Sequence, residues 1–298
     1  MCRSILAIIA ILAFAAGQHT AWAQSPAPAY AVPLFRFVDA KAQRPEPVSG
    51  VVRILVDDGF PPFHYRDDAK RLTGLNVELA NAVCSELRIR CEIKLLPFDD
   101  LLPGLARDEG DVIISALRVT PQVLAEGKPT RPFYRALGHF AAPANTALTS
   151  ADPAQLLGKK IGVLGGSAHE AWLKRYYSGS QIVAFPEQTA LGEALKTGAV
   201  DVVFDDAVRL VYWVKGETSQ KCCKLVDGAF IDASYFSQPL SFVVRRARED
   251  NLLESIDWAL DQLQTNGTFA KLFRTYVPLD PWAASASASQ PTASSTTP

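Results

Sequence analysis

The chain reads as an α/β protein of two lobes, each built on a mostly parallel sheet, joined by a hinge of two crossings. Three observations predict this. A β-α-β-α-β order starts at Val51, the same order starts again near Gly158, and the stretches 139–147 and 234–244 can carry the chain between the two sets. A length of 298 residues suffices for two cores. The charge balance, 30 Lys+Arg against 31 Asp+Glu, argues against a basic nucleic-acid binder or an anionic-membrane binder.

The elements follow in order. Residues 1–23 have Arg3, an apolar run over 4–17 and an Ala21-Trp22-Ala23 cleavage pattern. They predict a secretory signal peptide and a periplasmic mature protein, because the run falls short of the ~20 residues of a spanning helix. Residues 24–49 are Pro- and Ala-rich and read as an extended arm. Lobe 1 is expected over 50–142 plus 234–280. Its VVRILV is a buried strand, followed by the turn-rich DDGFPPFHYRDDAKRLTG. LNVELANAVCSEL, with Leu75, Leu79, Val83 and Leu87 on one face, predicts a helix over 75–87. Next come the strand CEIKLL, a helix in FDDLLPGLARDEG with Asp99 or Asp100 as N-cap, and the strand DVIISAL. Lobe 2 is expected over 143–233: strand KKIGVL, a Gly-rich turn opening the helix of GGSAHEAWLKRYY, strand QIVAF, helix ALGEALKTGAV and strand DVVFDD. After the return crossing, 252–277 reads as an amphipathic helix with Leu252, Ile256, Leu260 and Leu263 on one face. The low-complexity residues 281–298 are expected to be disordered.

Four cysteines follow the leader. Cys84 closes the first helix and Cys91 opens the next strand, close enough for a bridge that an oxidising compartment favours. The adjacent Cys222 and Cys223 admit an eight-membered ring, a redox site or two thiols. Neither pair has the second pair that a four-ligand zinc site needs.

Ligands of open α/β sheets lie beyond the carboxyl ends of the strands. The residues there are Asp57 and Phe60, Phe98, Ser115 to Arg118, Ser167, and Asp205 with Asp206. Phe60 and Phe98 can cover the apolar part of a ligand or pack in the core. Asp57 is a ligand carboxylate or a turn residue beside Gly59. Asp206 ends a buried strand as a binding carboxylate or a helix N-cap, with Asp205 an equal candidate. Ser167 opens a helix whose first N–H groups attract an anion, though such turns also occur for structural reasons.

Together VDDGFPPFHY, GLNVELANAVC, FDDLLPGLARDEGDVIISALRVTP, KKIGVLGGSAHE, GAVDVVFDD and NGTFAKLFRTYV, in this order over 51–278, resemble solute-binding protein family 3, the periplasmic amino-acid-binding proteins of ABC importers. CSELRIRC is similar to the disulfide segment of the basic-amino-acid branch. The resemblance implies a hinged, type II-like periplasmic binding protein without cofactor or metal, monomeric, with a small polar solute and an inner-membrane ABC permease as partners. By resemblance Phe60 and Phe98 sandwich the ligand, Asp206 takes its ammonium, Asp57 can meet a cationic side chain, and the Ser167 loop serves the ligand carboxylate, while Ser115 is a candidate by its place at a strand end. One departure is large. The arginine of the family's I-T-x-x-R carboxylate clamp is Val123 here, which cannot donate a hydrogen bond. Arg118 then becomes the candidate for that guanidinium, against the plainer reading of a surface arginine or an Asp57 partner.

The expected activity is solute capture, not catalysis. Cyclohexadienyl dehydratases resemble this family, but no G-x-S-x-G, H-E-x-x-H or Walker A motif occurs. A periplasmic accessory or sensory protein with a degenerate site is the other alternative.

Overall fold

In a computed structural model, residues 30–282 are described, apart from Leu34 and Ala40. The expected signal peptide, the first residues of the arm and the tail from residue 283 lie outside the described residues. The central strand β1 (Val51–Val56) is buried along most of its length, as suits a parallel strand covered on both faces. A three-stranded meander follows, β2 (Gly59–Phe60), β3 (His64–Arg66) and β4 (Leu72–Thr73), and leads into helix α1 (Leu75–Leu87). Gly74 begins this helix at φ 123°, and a Cβ there would lie 2.4 Å from the Phe63 carbonyl oxygen, so only glycine fits. The helix ends as expected from its apolar period, with Arg88 in the left-handed conformation as its cap.

Then come β5 (Arg90–Leu95), α2 (Phe98–Ala106), β6 (Val112–Ile113), α3 (Pro121–Glu126), β7 (Gly127–Pro129) and β8 (Tyr134–Arg135). Helix α2 starts one residue before the expected cap. Its N-cap is Pro97, and Asp99 and Asp100 sit in the first turn, where the helix dipole favours them. The second lobe holds β9 (Gly138–Pro143), β10 (Lys160–Leu164), α4 (Ala168–Tyr176), β11 (Gln181–Phe185), α5 (Gln188–Lys196), β12 (Val202–Asp206), α6 (Ala207–Lys215) and β13 (Cys223–Phe230). The chain returns through β14 (Pro239–Leu240) to β15 (Val243–Arg245), α7 (Leu252–Thr265) and α8 (Thr268–Tyr276). The last two replace the single helix expected over 252–277. The break falls at Gly267, whose φ of 78° ends one helix and starts the next.

Each lobe holds a five-stranded sheet, in the orders β5-β1-β6-β15-β7 and β11-β10-β12-β9-β13. In each, three parallel strands are followed by a reversed strand, β15 or β9, and a last strand antiparallel to it. The expected boundary at 142/143 moves. β9 pairs with β12 and β13, so it is a buried strand of the second sheet, not a crossing. The first crossing is instead β8, while the return crossing, β14, falls within the expected 234–244, and the two pair antiparallel to each other between the lobes.

Cys84 and Cys91 are disulfide-bonded, as are Cys222 and Cys223, which realises the ring among the three alternatives. The first bridge closes a short loop, so Cys84→Ser with Cys91→Ser is expected to lower unfolding stability by roughly 2–3 kcal/mol. Urea unfolding of wild type and double variant checks this, and equal midpoints would refute it. The described part of the arm is docked on lobe 1. Arg36 enters between the buried Asp261 and the half-buried Asp257, and the Phe35 ring packs edge-on against Tyr134 at 5.2 Å.

Candidate functional site

Between the lobes lies a cleft of about 280 Å³ beside the β8–β14 crossing pair. It is near the small end of the ~300–1,000 Å³ range of ligand pockets. Its walls come from both lobes. Lobe 1 supplies Phe60, Phe63, Ala116 and Arg118, lobe 2 supplies Ala168, His169, Asp206 and Arg209, and the crossings add Tyr134, Tyr235 and Phe236. Most of this lining is apolar or aromatic, with two guanidinium groups and one carboxylate set into it.

Strand alternation decides between the adjacent aspartates. Asp206, the last residue of β12, faces the cleft. Asp205 points the other way, accepting a hydrogen bond from Gln188 Nε2 and lying 3.7 Å from Arg209 Nε. Asp206 is also the N-cap of α6. Its Oδ1 accepts from the Val208 and Arg209 amides at 2.9 and 3.1 Å. Its Oδ2 has no hydrogen-bond partner among the described residues. Burial first, and then the Asp205 charge, push the Asp206 carboxyl up from 3.8 to about 7, against the pull of Arg209 and the two amides.

Arg209 sits in the first turn of α6, three residues beyond its cap, and its guanidinium lies 5.1 Å from the centre of the Phe60 ring on the facing lobe. Arg118 reaches across from lobe 1, and its Nη2 donates to the Tyr235 carbonyl at 3.1 Å. Two polar tips on the lining are unsatisfied. Tyr134 is wholly buried and its hydroxyl has no partner among the described residues, and neither has His169 Nε2. The His169 ring stacks on Phe236 at 4.7 Å. Burial, with Arg209 adding, pushes its pKa down against the opposing Asp205 charge, so the imidazole is held neutral.

The remaining candidates lie elsewhere. Asp57 is buried but is not part of the cleft lining. Its Oδ1 accepts from the Ser115 hydroxyl at 2.6 Å and lies 3.0 Å from His64 Nε2, and its Oδ2 takes the Gly59 amide. Burial is the largest single effect on the Asp57 carboxyl and raises it, but the bonds from His64, Ser115 and Gly59 together outweigh it and hold the pKa low. Asn76 Nδ2 lies 3.1 Å from His64 Nδ1 and completes this internal brace. Ser115 is therefore spent on Asp57. Phe98 is 47% exposed at the start of α2 and lies off the cleft. Ser167 is the N-cap of α4: its Oγ accepts from the Glu170 amide, while Glu170 accepts from the Gly166 amide. The two residues after it, Ala168 and His169, are the ones that line the cleft. Val123 is 2% exposed and packs with Leu55, Leu101, Leu105, Ile113 and Val243, so the clamp position has become core.

Of the expected residues the cleft brings together Phe60, Arg118 and Asp206, and it adds Tyr134, Arg209, Tyr235 and Phe236, which the sequence did not mark. Only Arg209 carried a local sign, since a residue three beyond an N-cap stays in the same helical turn.

Comparison with known proteins gives one consistent result. The family model of the bacterial extracellular solute-binding proteins, family 3, matches residues 52–278. The L-arginine-binding protein of Pseudomonas aeruginosa is 28% identical over 232 residues, covering 77% of this chain and 88% of that protein. The histidine-binding periplasmic protein of Salmonella typhimurium is 27% identical over 232 residues, with coverage of 77% and 88%. Among solved structures, substrate-binding domain 2 of Lactococcus lactis GlnP in an open conformation superposes with a TM-score of 0.70. It is 21% identical and covers 79% of this chain and 98% of that one, a likeness that concerns the fold alone.

Proposed function

The chain belongs to the bacterial extracellular solute-binding proteins, family 3, and from that premise we propose that it captures a small polar solute in the interlobe cleft, as a periplasmic protein, and delivers it to an ABC permease. The observation that carries this reading is the lining itself. Phe60 and Arg118 from one lobe face Asp206 and Arg209 from the other across a hinge of two short paired crossings. A solute touching both walls is buried only when the lobes close, so it favours the closed form. The names of the curated relatives, which are binding proteins, support binding over catalysis, and the leader pattern of residues 1–23 supports export.

Thermal unfolding of the purified protein against amino acids, polyamines, opines and small carboxylates tests the reading. A true solute at about 100 times its Kd adds roughly 2.7 kcal/mol of stability and raises the Tm. Turnover of prephenate would instead make the protein an enzyme. Silence of the whole panel, with a periplasmic protein co-purifying, would favour the accessory role, which the apolar replacement at Val123 makes the second reading.

A further inference from the structure

Resting on solute capture in this cleft, we infer that the solute class is a net-anionic carboxylate on an apolar or aromatic body, held by Arg118 of one lobe and Arg209 of the other, and that cationic solutes are selected against.

The first support is the charge count on the lining. Two guanidinium groups, Arg118 and Arg209, face one carboxylate, Asp206. Neither guanidinium has all of its donors used among the described residues. Among the described residues Arg118 makes a single hydrogen bond, to a carbonyl, and Arg209 pairs with Asp205 through Nε at 3.7 Å and lies over the Phe60 ring, which leaves its terminal nitrogens without a hydrogen bond. Each keeps donors for a ligand, and a planar guanidinium suits a carboxylate.

The second support is the loss of the cation's site. A cationic side chain would need a carboxylate aimed at it, and Asp57 is closed off by Ser115, His64 and Gly59 behind the wall. Asp205 is engaged by Gln188 and Arg209. Only Asp206 remains on the lining, against two guanidinium groups. A cationic solute would meet Arg118 and Arg209 at close range in a partly desolvated cleft, where like charges repel strongly.

The third support is the unsatisfied tips. The Tyr134 hydroxyl, wholly buried and without a partner among the described residues, can donate to a carboxylate oxygen. His169 is held neutral and so adds no charge to the wall. Phe60, Phe63, Phe236 and Leu240 leave the rest of the space apolar, which suits a hydrocarbon or ring body.

Three probes that share one skeleton isolate charge: 3-phenylpropionate is an anion, L-phenylalanine a zwitterion and 2-phenylethylamine a cation. L-arginine is the fourth. Calorimetric titration of the purified protein at neutral pH is expected to rank 3-phenylpropionate first, roughly 10- to 100-fold tighter than L-phenylalanine, with no heat from 2-phenylethylamine. Arg209→Gln and Arg118→Gln should each weaken 3-phenylpropionate by a similar factor. Arg118 is exposed, so its variant stays informative even if the other unfolds. Tighter binding of L-arginine, or of the zwitterion or amine over the anion, overturns the inference and leaves solute capture standing. So does unchanged binding in the Arg118→Gln variant. Silence of all four probes at millimolar concentration overturns it as well, and silence of the wider panel then removes the reading beneath it.

Discussion

Asp261→Ala is expected to destabilise the protein by roughly 3–5 kcal/mol, the cost of removing one partner from a buried ion pair. The Asp261 side chain is wholly buried in α7. Its Oδ1 accepts from Arg36 at 2.9 and 2.6 Å, and its Oδ2 from Arg131 at 2.7 Å. With Asp261 gone, the buried Arg36 guanidinium keeps only Asp257 as a charged partner, at 3.2 Å, together with backbone carbonyls. The chain then has two options, to hold a poorly compensated charge or to release the arm into water. Release also uncouples Phe35 from Tyr134, an aromatic wall of the cleft. Urea unfolding should show a large drop in midpoint, and limited trypsin digestion should open the arm at Lys41. A loss below about 1 kcal/mol, as is usual for surface pairs, would mean that the network contributes nothing specific.

This anchor shows where sequence reading stops. The arm, 24–49, is extended as expected, but Arg36 meets Asp261 at a separation of 225 positions, and no local pattern marks such a meeting. What was legible is what local period controls. The helix over 75–87, the strands at 51–56 and 202–206 and the doubled β-α-β-α-β order follow from apolar spacing and its punctuation. Strand β9 was misplaced for a physical reason. Its GHFAAP is buried almost throughout and so lacks alternation, and its small residues with a closing Pro143 look like a connector. In the cleft, Asp206 and Phe60 were legible as lining residues because strand ends in such sheets point to the side where ligands bind. Phe98 follows a strand end too but lies off the cleft, because it opens a helix whose first turn faces solvent. Tyr134, Tyr235 and Phe236 belong to the crossings, whose contribution to the cleft depends on how the two lobes meet.

Asp206→Asn is expected to make the unliganded protein more stable above neutral pH while altering what the cleft binds. Asn is as good an N-cap as Asp, so the bonds from the Val208 and Arg209 amides survive the change. What disappears is a buried ionisation. An acid whose pKa rises on folding, here from 3.8 to about 7, binds its proton more tightly folded than unfolded. Between those values the native state holds more protons, so stability falls as pH rises through that window and levels off above it. At about 1.4 kcal/mol per pH unit, the full penalty is on the order of 4 kcal/mol. The groups that set it are Asp205 on the same strand and Arg209 on α6, with Tyr134 from the crossing and His169 from α4 completing the wall. Chemical unfolding of both proteins across pH 4–8 should give curves that diverge as pH rises, with the variant above. The same ionisation reaches the ligand. A protonated Asp206 can donate to a carboxylate oxygen through its free side, whereas an ionised one repels it, so wild-type affinity for 3-phenylpropionate should weaken as pH passes about 7. The variant, neutral throughout, should lose that dependence. Parallel stability curves would show that Asp206 is not buried as an acid, and an affinity that rises with pH in the wild type would place a cation, not an anion, beside it.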